Sequence, residues 1–197
     1  MCLALYGAAC HATSAPSILV LGDSLSAAYG IPLEKGWVAL LQQRLESKGY
    51  GYRVVNASGS GETTGGALTR LPRALASHEP AIVIIELGGN DGLRGLPITK
   101  LRDNFESMIE MAAQAGARVM LVGMRIPPNY GPDYTQAFHQ LYGELSAANE
   151  IPLVPFFLDG IALDDSLMQD DGIHPNVQAQ PKMLDLVWPQ LEPMLQN

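Results

Sequence analysis

From residue 17 onward, short apolar runs alternate with longer segments of helical period. The runs "SILVL", "YRVVNA", "AIVIIEL", "ARVMLVG" and "IPLVP" are separated by "WVALLQQRLESK", "ALTRLPRALASH", "LRDNFESMIEMAAQA" and a Tyr-rich stretch near 134 to 149, with a closing helix from about 177. The order βαβαβαβαβα predicts an α/β fold. Residues Ala81 to Leu87 and Arg118 to Gly123 are continuously apolar instead of alternating, as expected of parallel strands covered by helices on both faces. The expected architecture is therefore a three-layer α/β/α sandwich, a flavodoxin-like, doubly wound parallel sheet of about five strands. Prolines punctuate this plan. Pro32 and Pro80 fall between elements, Pro127 and Pro128 stiffen a loop, and Pro175 is expected to open the last helical region. Pro72 and Pro181 would strain a helix interior, so those two helices are expected to break or to start later.

Polar residues gather where the strands end. The first strand runs into Gly22-Asp23-Ser24, the second into Asn56-Ala57-Ser58-Gly59-Ser60-Gly61, the third into Gly88-Gly89-Asn90-Asp91-Gly92, and the segment beyond the fifth reaches Asp170-Asp171-Gly172-Ile173-His174. In an open parallel sheet the ligand crevice lies beyond the carboxyl ends of the strands, so these clusters share one edge. Each alone is ordinary turn chemistry. Together they supply a hydroxyl, a flexible loop able to aim backbone N–H groups, a carboxamide donor, and a carboxylate three residues before a histidine, which are the parts of a serine acyl-transfer site. A serine oxygen is a weak nucleophile until a base takes its proton. His174 can do so if Asp171 holds the ring, with Gly172 turning the chain between them. Asp170 lies close enough to compete, but in an extended segment its side chain points the other way. His11, His78 and His139 are weaker candidates: one in the leader-like segment, one in a helix–strand loop, one on a polar helix face.

The blocks "GDSLS", "NASGSGET", "GGND" and "DGIHPN" resemble, in order, the four blocks of the SGNH (GDSL-type) hydrolases, and the match extends from Ser17 to the C-terminus. The stretches "LGDSLSAAYG", "PPNYG" and "MQDDGIHPN" are similar to the bacterial periplasmic branch described as multifunctional thioesterase, arylesterase and lysophospholipase. The resemblance implies Ser24 as nucleophile, His174 as general base and then acid, and Asp171 as its orienting carboxylate. It implies an oxyanion hole from the Ser24 and Gly61 N–H groups and the Asn90 amide, with no metal and no organic cofactor. The added Gly59 is expected to loosen the loop that presents Gly61. Gly22 is expected to let the chain turn sharply off the first strand, and Asp23 to tie that turn down. The loops around Leu93 to Leu96, Met124 to Tyr134 and Phe156 to Ile161 are apolar and aromatic, which suits an acyl or aryl group. Leu93, Arg94, Arg125, Pro128 and Tyr130 are the candidate substrate-binding residues, the two arginines as candidate anion contacts.

Two rival readings differ in class. A dinucleotide-binding module fails on spacing, because the third glycine of Gly59-x-Gly61 comes at Gly65, one position late, and the loop follows the second strand. A non-catalytic carbohydrate- or lipid-binding relative of the same fold would not need all four chemical positions, and all four are present. G-x-S-x-G, the nucleophile elbow of α/β-hydrolases, is also absent, since Ser26 stands where its second glycine belongs.

Composition narrows the partners. The 197 residues carry 12 Lys and Arg against 20 Asp and Glu, a formal net charge of -8, and no basic cluster interleaved with aromatics. Nucleic acid is therefore not an expected partner; small acyl esters or thioesters are the partners that the resemblance implies. No run of about 18 apolar residues supports a spanning helix. The opening "MCLALYGAACHATSAP" resembles the end of a secretory signal without its basic start, so residues 1–16 are expected to be a leader remnant or an arm and 17–197 one domain. Periplasmic or secreted location and a monomeric state are the expectations, with the cytoplasm as the alternative location. Cys2 and Cys10 both fall in that leader-like segment, so no thiol site is expected in the domain.

Overall fold

The computed structural model describes residues 15–195; the leader-like segment lies almost wholly outside the described residues. Five strands, β1 (Ser17–Gly22), β2 (Arg53–Asn56), β3 (Ile82–Glu86), β4 (Arg118–Val122) and β5 (Leu153–Val154), form one sheet in the order β2-β1-β3-β4-β5. All neighbouring pairs are parallel, with Leu19 opposite both Val55 and Val83, and Ile84 opposite Met120. The apolar runs of β1, β3 and β4 are buried on both faces, as continuous hydrophobicity requires.

Among the described residues six α-helices cover the sheet: α1 (Trp37–Ser47), α2 (Thr64–His78), the short α3 (Gly89–Leu93), α4 (Ile98–Gln114), α5 (Pro132–Asn149) and α6 (Gln180–Leu191). Helix α1 packs against α6, while α2, α4 and α5 pack in series. That division follows from handedness. The β1–α1–β2 crossover steps one way along the sheet and the later crossovers step the other, so right-handed connections place α1 on one face and α2, α4 and α5 on the other. The direction reverses between β1 and β3, and the crevice there opens beside the carboxyl ends of those two strands.

Proline placement corrects one expectation. α2 runs unbroken through Pro72, because tertiary packing of Ala67, Leu71 and Leu75 in the core outweighs one lost backbone bond. Pro181 lies in the first turn of α6, whose N–H groups need no intrahelical partner, so that helix does start late. Pro175 pairs with Met168 in a β-bridge and does not open the helical region, which begins at Val177.

Candidate active site

Ser24 stands two residues beyond β1. Gly22 is still part of that strand and has no positive φ, so it does not serve as the expected hinge. Its missing side chain makes room instead: a Cβ there would lie 2.7 Å from Ser26 and 2.8 Å from Glu86 Oε2. Those two side chains form a buried brace under the turn. Ser26 Oγ donates to Glu86 Oε2 at 2.6 Å and accepts from Trp37 Nε1 at 3.2 Å, while the Asp23 N–H leans on the same Glu86 oxygen at 3.4 Å. Glu86 is fully buried and its other oxygen has no partner among the described residues. Burial, with the nearby Asp23 charge adding to it, holds its carboxyl well above the usual carboxylate range.

Asp23 does more than tie its own turn. Its Oδ1 accepts from the Leu25 N–H at 3.0 Å, and its Oδ2 accepts from Asn90 Nδ2 at 3.1 Å. One carboxylate thus links the ends of β1 and β3. Burial pushes Asp23 up to about 6 against the lowering pull of the Leu25 N–H, of His174 and of Asn90. Asn90 itself sits in the first turn of α3, so the third polar cluster is helical where a turn was expected. Asp91, next to it, is buried and accepts from both the Thr64 N–H (2.9 Å) and Thr64 Oγ1 (2.6 Å), and Asn104 Nδ2 donates to the same Oγ1. This network fastens the start of α2, and with it the Gly61 loop, to the Asn90 helix.

That loop is firmer than the extra glycine suggested. The Gly59 N–H donates to the Gly22 carbonyl at 3.0 Å, Glu62 N–H donates to the Gly59 carbonyl, and the Glu62 carboxylate pairs with Arg70. Gly61 adopts φ +74, and Arg94 donates to its carbonyl at 3.2 Å. Among the described residues nothing accepts from the Ser24 or Gly61 N–H groups, and Asn90 uses Nδ2 only toward Asp23. The Ser24 N–H, the Gly61 N–H and the second Asn90 Nδ2 hydrogen are therefore without an acceptor among the described residues.

The fourth cluster is carried on a loop closed at its neck by the Met168–Pro175 bridge and by Gln169 N–H to the His174 carbonyl at 2.7 Å. Gly172, at φ +65, turns the chain there, a conformation that favours glycine. Asp171 Oδ1 accepts from the Ile173 and His174 N–H groups, both at 2.9 Å, and Oδ2 lies 2.6 Å from His174 Nδ1. The His174 backbone bond first, then its side chain, then the Ile173 N–H hold Asp171 down at about 2. His174 Nε2 lies 2.9 Å from Ser24 Oγ, completing a line of hydrogen bonds from carboxylate to hydroxyl across 150 residues of chain. Asp170 is exposed beside it and has no such contact.

The candidate substrate residues divide. Leu93 is exposed at the end of α3, and Tyr130 Oη, in the short turn that Pro128 opens, donates to its carbonyl at 2.7 Å, so the 128–130 turn is stapled beside the crevice. Arg94 braces Gly61. Arg125 lies with His139 Nε2 at 3.3 Å and over the Phe156 ring, contacts that do not join it to Ser24, Gly61 or Asn90. Met124, Ile126, Phe157, Leu158 and Ile161 are buried in the core, so much of the apolar character of their loops serves packing. Glu86, Tyr29 and Gln169 also border the site: an acid closing an otherwise apolar strand is the visible sign of the first, whereas Tyr29 lies against the His174 ring and Gln169 Nε2 donates to the Tyr29 carbonyl, contacts that no local pattern reveals. Among the described residues no group of three or more His, Cys, Asp and Glu is arranged to hold a metal ion.

A parallel sheet with a serine, a histidine–carboxylate pair and free donors at its switch point defines a hydrolase of the SGNH type. The chain belongs to the GDSL-like Lipase/Acylhydrolase family, which matches it over residues 20–180. It is 54% identical over 182 residues to Esterase TesA of Pseudomonas aeruginosa, covering 92% of this chain and 90% of that protein. It is 42% identical to the Escherichia coli protein named Thioesterase 1/protease 1/lysophospholipase L1, over 95% of this chain and 88% of that one. The solved structure of the psychrotrophic esterase EstA from Pseudoalteromonas sp., inhibited by monoethylphosphonate, superposes with a TM-score of 0.86 at 44% identity, covering 90% of this chain and 97% of that one.

Proposed function

We propose that the protein hydrolyses carboxylic esters and thioesters, including aryl esters, acyl-CoA and lysophospholipids, through an acyl-enzyme on Ser24. The observation that carries this reading is the line Asp171 Oδ2, His174 Nδ1, His174 Nε2, Ser24 Oγ, with separations of 2.6 and 2.9 Å at its two ends. With Asp171 ionised, Nδ1 keeps its proton and Nε2 is the free base facing the hydroxyl. Ser24 Oγ attacks the acyl carbon as its proton passes to Nε2, and the negative charge moves to the former carbonyl oxygen. The Ser24 N–H, the Gly61 N–H and the second Asn90 Nδ2 hydrogen receive that oxyanion. The imidazolium then protonates the leaving alkoxide or thiolate as its bond to carbon breaks, and water, deprotonated by the same nitrogen, releases the acid and restores Ser24. The names of the relatives, an esterase and a thioesterase/lysophospholipase, support the range of substrates.

Labelling with a fluorophosphonate, followed by peptide mapping, tests the reading. The expected result is a single adduct on Ser24 and no turnover by a folded Ser24→Ala protein. An adduct on Ser26, or full activity in Ser24→Ala, overturns it. A panel of aryl esters, acyl thioesters and lysophospholipids across chain lengths then ranks the substrates.

A further inference from the structure

Tyr29 lies against the imidazole of His174, with ring centroids 4.4 Å apart and planes inclined by 37°. Its position is held from several sides. Ala28, immediately before it, adopts φ 58, a left-handed conformation that costs a residue with a Cβ about 1 kcal/mol or more and persists only where the surroundings enforce it. The Tyr29 N–H donates to the Ser24 carbonyl at 3.2 Å, and the Tyr29 carbonyl accepts from Gln169 Nε2 at 2.8 Å. Gln169 Nε2 also donates to the Pro175 carbonyl at 3.0 Å, and the Gln169 backbone N–H donates to the His174 carbonyl. The nucleophile segment and the histidine loop are therefore clamped together through residue 29. Yet Tyr29 remains 49% exposed, a large aromatic ring held beside the strained Ala28 without being part of the core.

We propose that Tyr29 is a positioning residue for His174, its aromatic face confining the imidazole between Asp171 and Ser24 and supporting the positive charge that the ring carries during acyl transfer. This rests on the reading of His174 as the general base. An aromatic face attracts a cation through its quadrupole, and an imidazolium at ring-contact distance is well placed to profit. The titratable groups facing the imidazole are Asp171 on its own loop, Asp23 beneath Ser24, and the Tyr29 phenol. Only the last changes in the variants that follow.

Tyr29→Phe keeps the aromatic face without the hydroxyl, and Tyr29→Leu keeps an apolar cover without the aromatic face. The expected result is kcat within about twofold of wild type for Tyr29→Phe, and a fall of about 3- to 30-fold for Tyr29→Leu at unchanged KM. In Tyr29→Leu the acid limb of the kcat/KM profile moves to lower pH, because the imidazolium loses support while the apolar cover stays, and fluorophosphonate labelling of Ser24 slows in parallel. Thermal unfolding of both variants is measured alongside. Wild-type kcat and pH profile in a folded Tyr29→Leu protein overturn the inference. So does a rise in KM with unchanged kcat, which would make Tyr29 a substrate contact, and so does equal impairment of both variants, which would place the role in the hydroxyl. A Tyr29→Leu protein that fails to fold is replaced by Tyr29→Met, with the same expectations and the same overturning results. Failure here is distinct from failure of the proposed reaction: the latter shows as activity surviving in Ser24→Ala and His174→Ala.

Discussion

The Ser24–Asn90 side of the site grows directly out of two adjacent strands, whereas the Asp171–His174 side is borne on a loop that belongs to no strand of the sheet. On the first side the supporting acids are buried: Glu86 and Asp91 hold neighbouring backbone and hydroxyl groups, and Asp23 joins the two strand ends through Leu25 and Asn90. On the second, Asp171 is 38% exposed at its side chain and is held by two residues just beyond it, Ile173 and His174. The carboxyls consequently move in opposite directions, Asp23 up to about 6 and Asp171 down to about 2. Burial dominates where the acid is walled in by core, and local N–H donors dominate where water still reaches it. A rigid wall suits donors that must be in place before charge develops, and a local hairpin suits a base that must keep one tautomer.

Breaking the loop side should have the larger effect. Asp171→Asn preserves shape but supplies an amide that neither holds the needed tautomer nor offsets the imidazolium, so kcat should fall by about 10⁴. Asp170→Asn should leave kcat close to wild type, because Asp170 makes no contact with the ring. Steady-state kinetics on the two folded variants at pH 7 checks this, and the reverse ranking would assign the orienting role to Asp170. On the sheet side, Asn90→Ala should lower kcat about 100- to 1000-fold with little change in KM, the usual effect of removing one oxyanion donor. If Asn90 served only its helix, kinetics would stay near normal and thermal stability would fall instead.

The opposed carboxyls offer a sharper contrast in stability against pH. Asp23 titrates near 6 in the folded protein against an ordinary 3.8, so the native state binds a proton that the unfolded chain releases. Its contribution, of the order of 3 kcal/mol, is present below about pH 4 and is lost as pH rises through about 6. Asp171 behaves in the opposite sense: its contribution is present above about pH 4 and is lost as pH falls toward about 2. Urea titrations between pH 2 and 8 should show Asp23→Asn flattening the decline toward neutral pH, and Asp171→Asn flattening the decline in acid. Unchanged curves in Asp23→Asn would mean that Asp23 does not titrate in this range. The smallest effect belongs to Arg94, which is exposed and makes one bond to the Gly61 carbonyl. Arg94→Ala should lower kcat about two- to fivefold, as expected for one exposed charged contact. If Arg94 instead receives an anionic substrate, its loss raises KM for acyl-CoA far more than for a neutral aryl ester of equal chain length.

How much of this was legible beforehand depends on the range of the interaction concerned. Continuous apolar runs separated by helical periods announce a parallel sheet, since burial on both faces leaves no polar side to a strand. The placement of Ser24, Asn90 and His174 on one edge follows from the same rhythm. The D-x-x-H spacing with its glycine is equally local, and the structure brings Asp171 and His174 within 2.6 Å through a turn of four residues. Tertiary structure alone decided the rest. Pro72 stays helical because the core holds α2 around it, and Gly22 is a glycine because Ser26 and Glu86 occupy the space a Cβ would need. Gly59 sits in a tied loop because the Gly22 carbonyl, 37 residues earlier, takes its N–H. Asp23 meets Asn90, and Tyr29 meets His174, across 67 and 145 residues of chain. Periodicity and turn chemistry are properties of neighbouring residues and can be read along a line. A partner brought near by sheet register and by the clamp of Gln169 exists only once the chain has closed on itself.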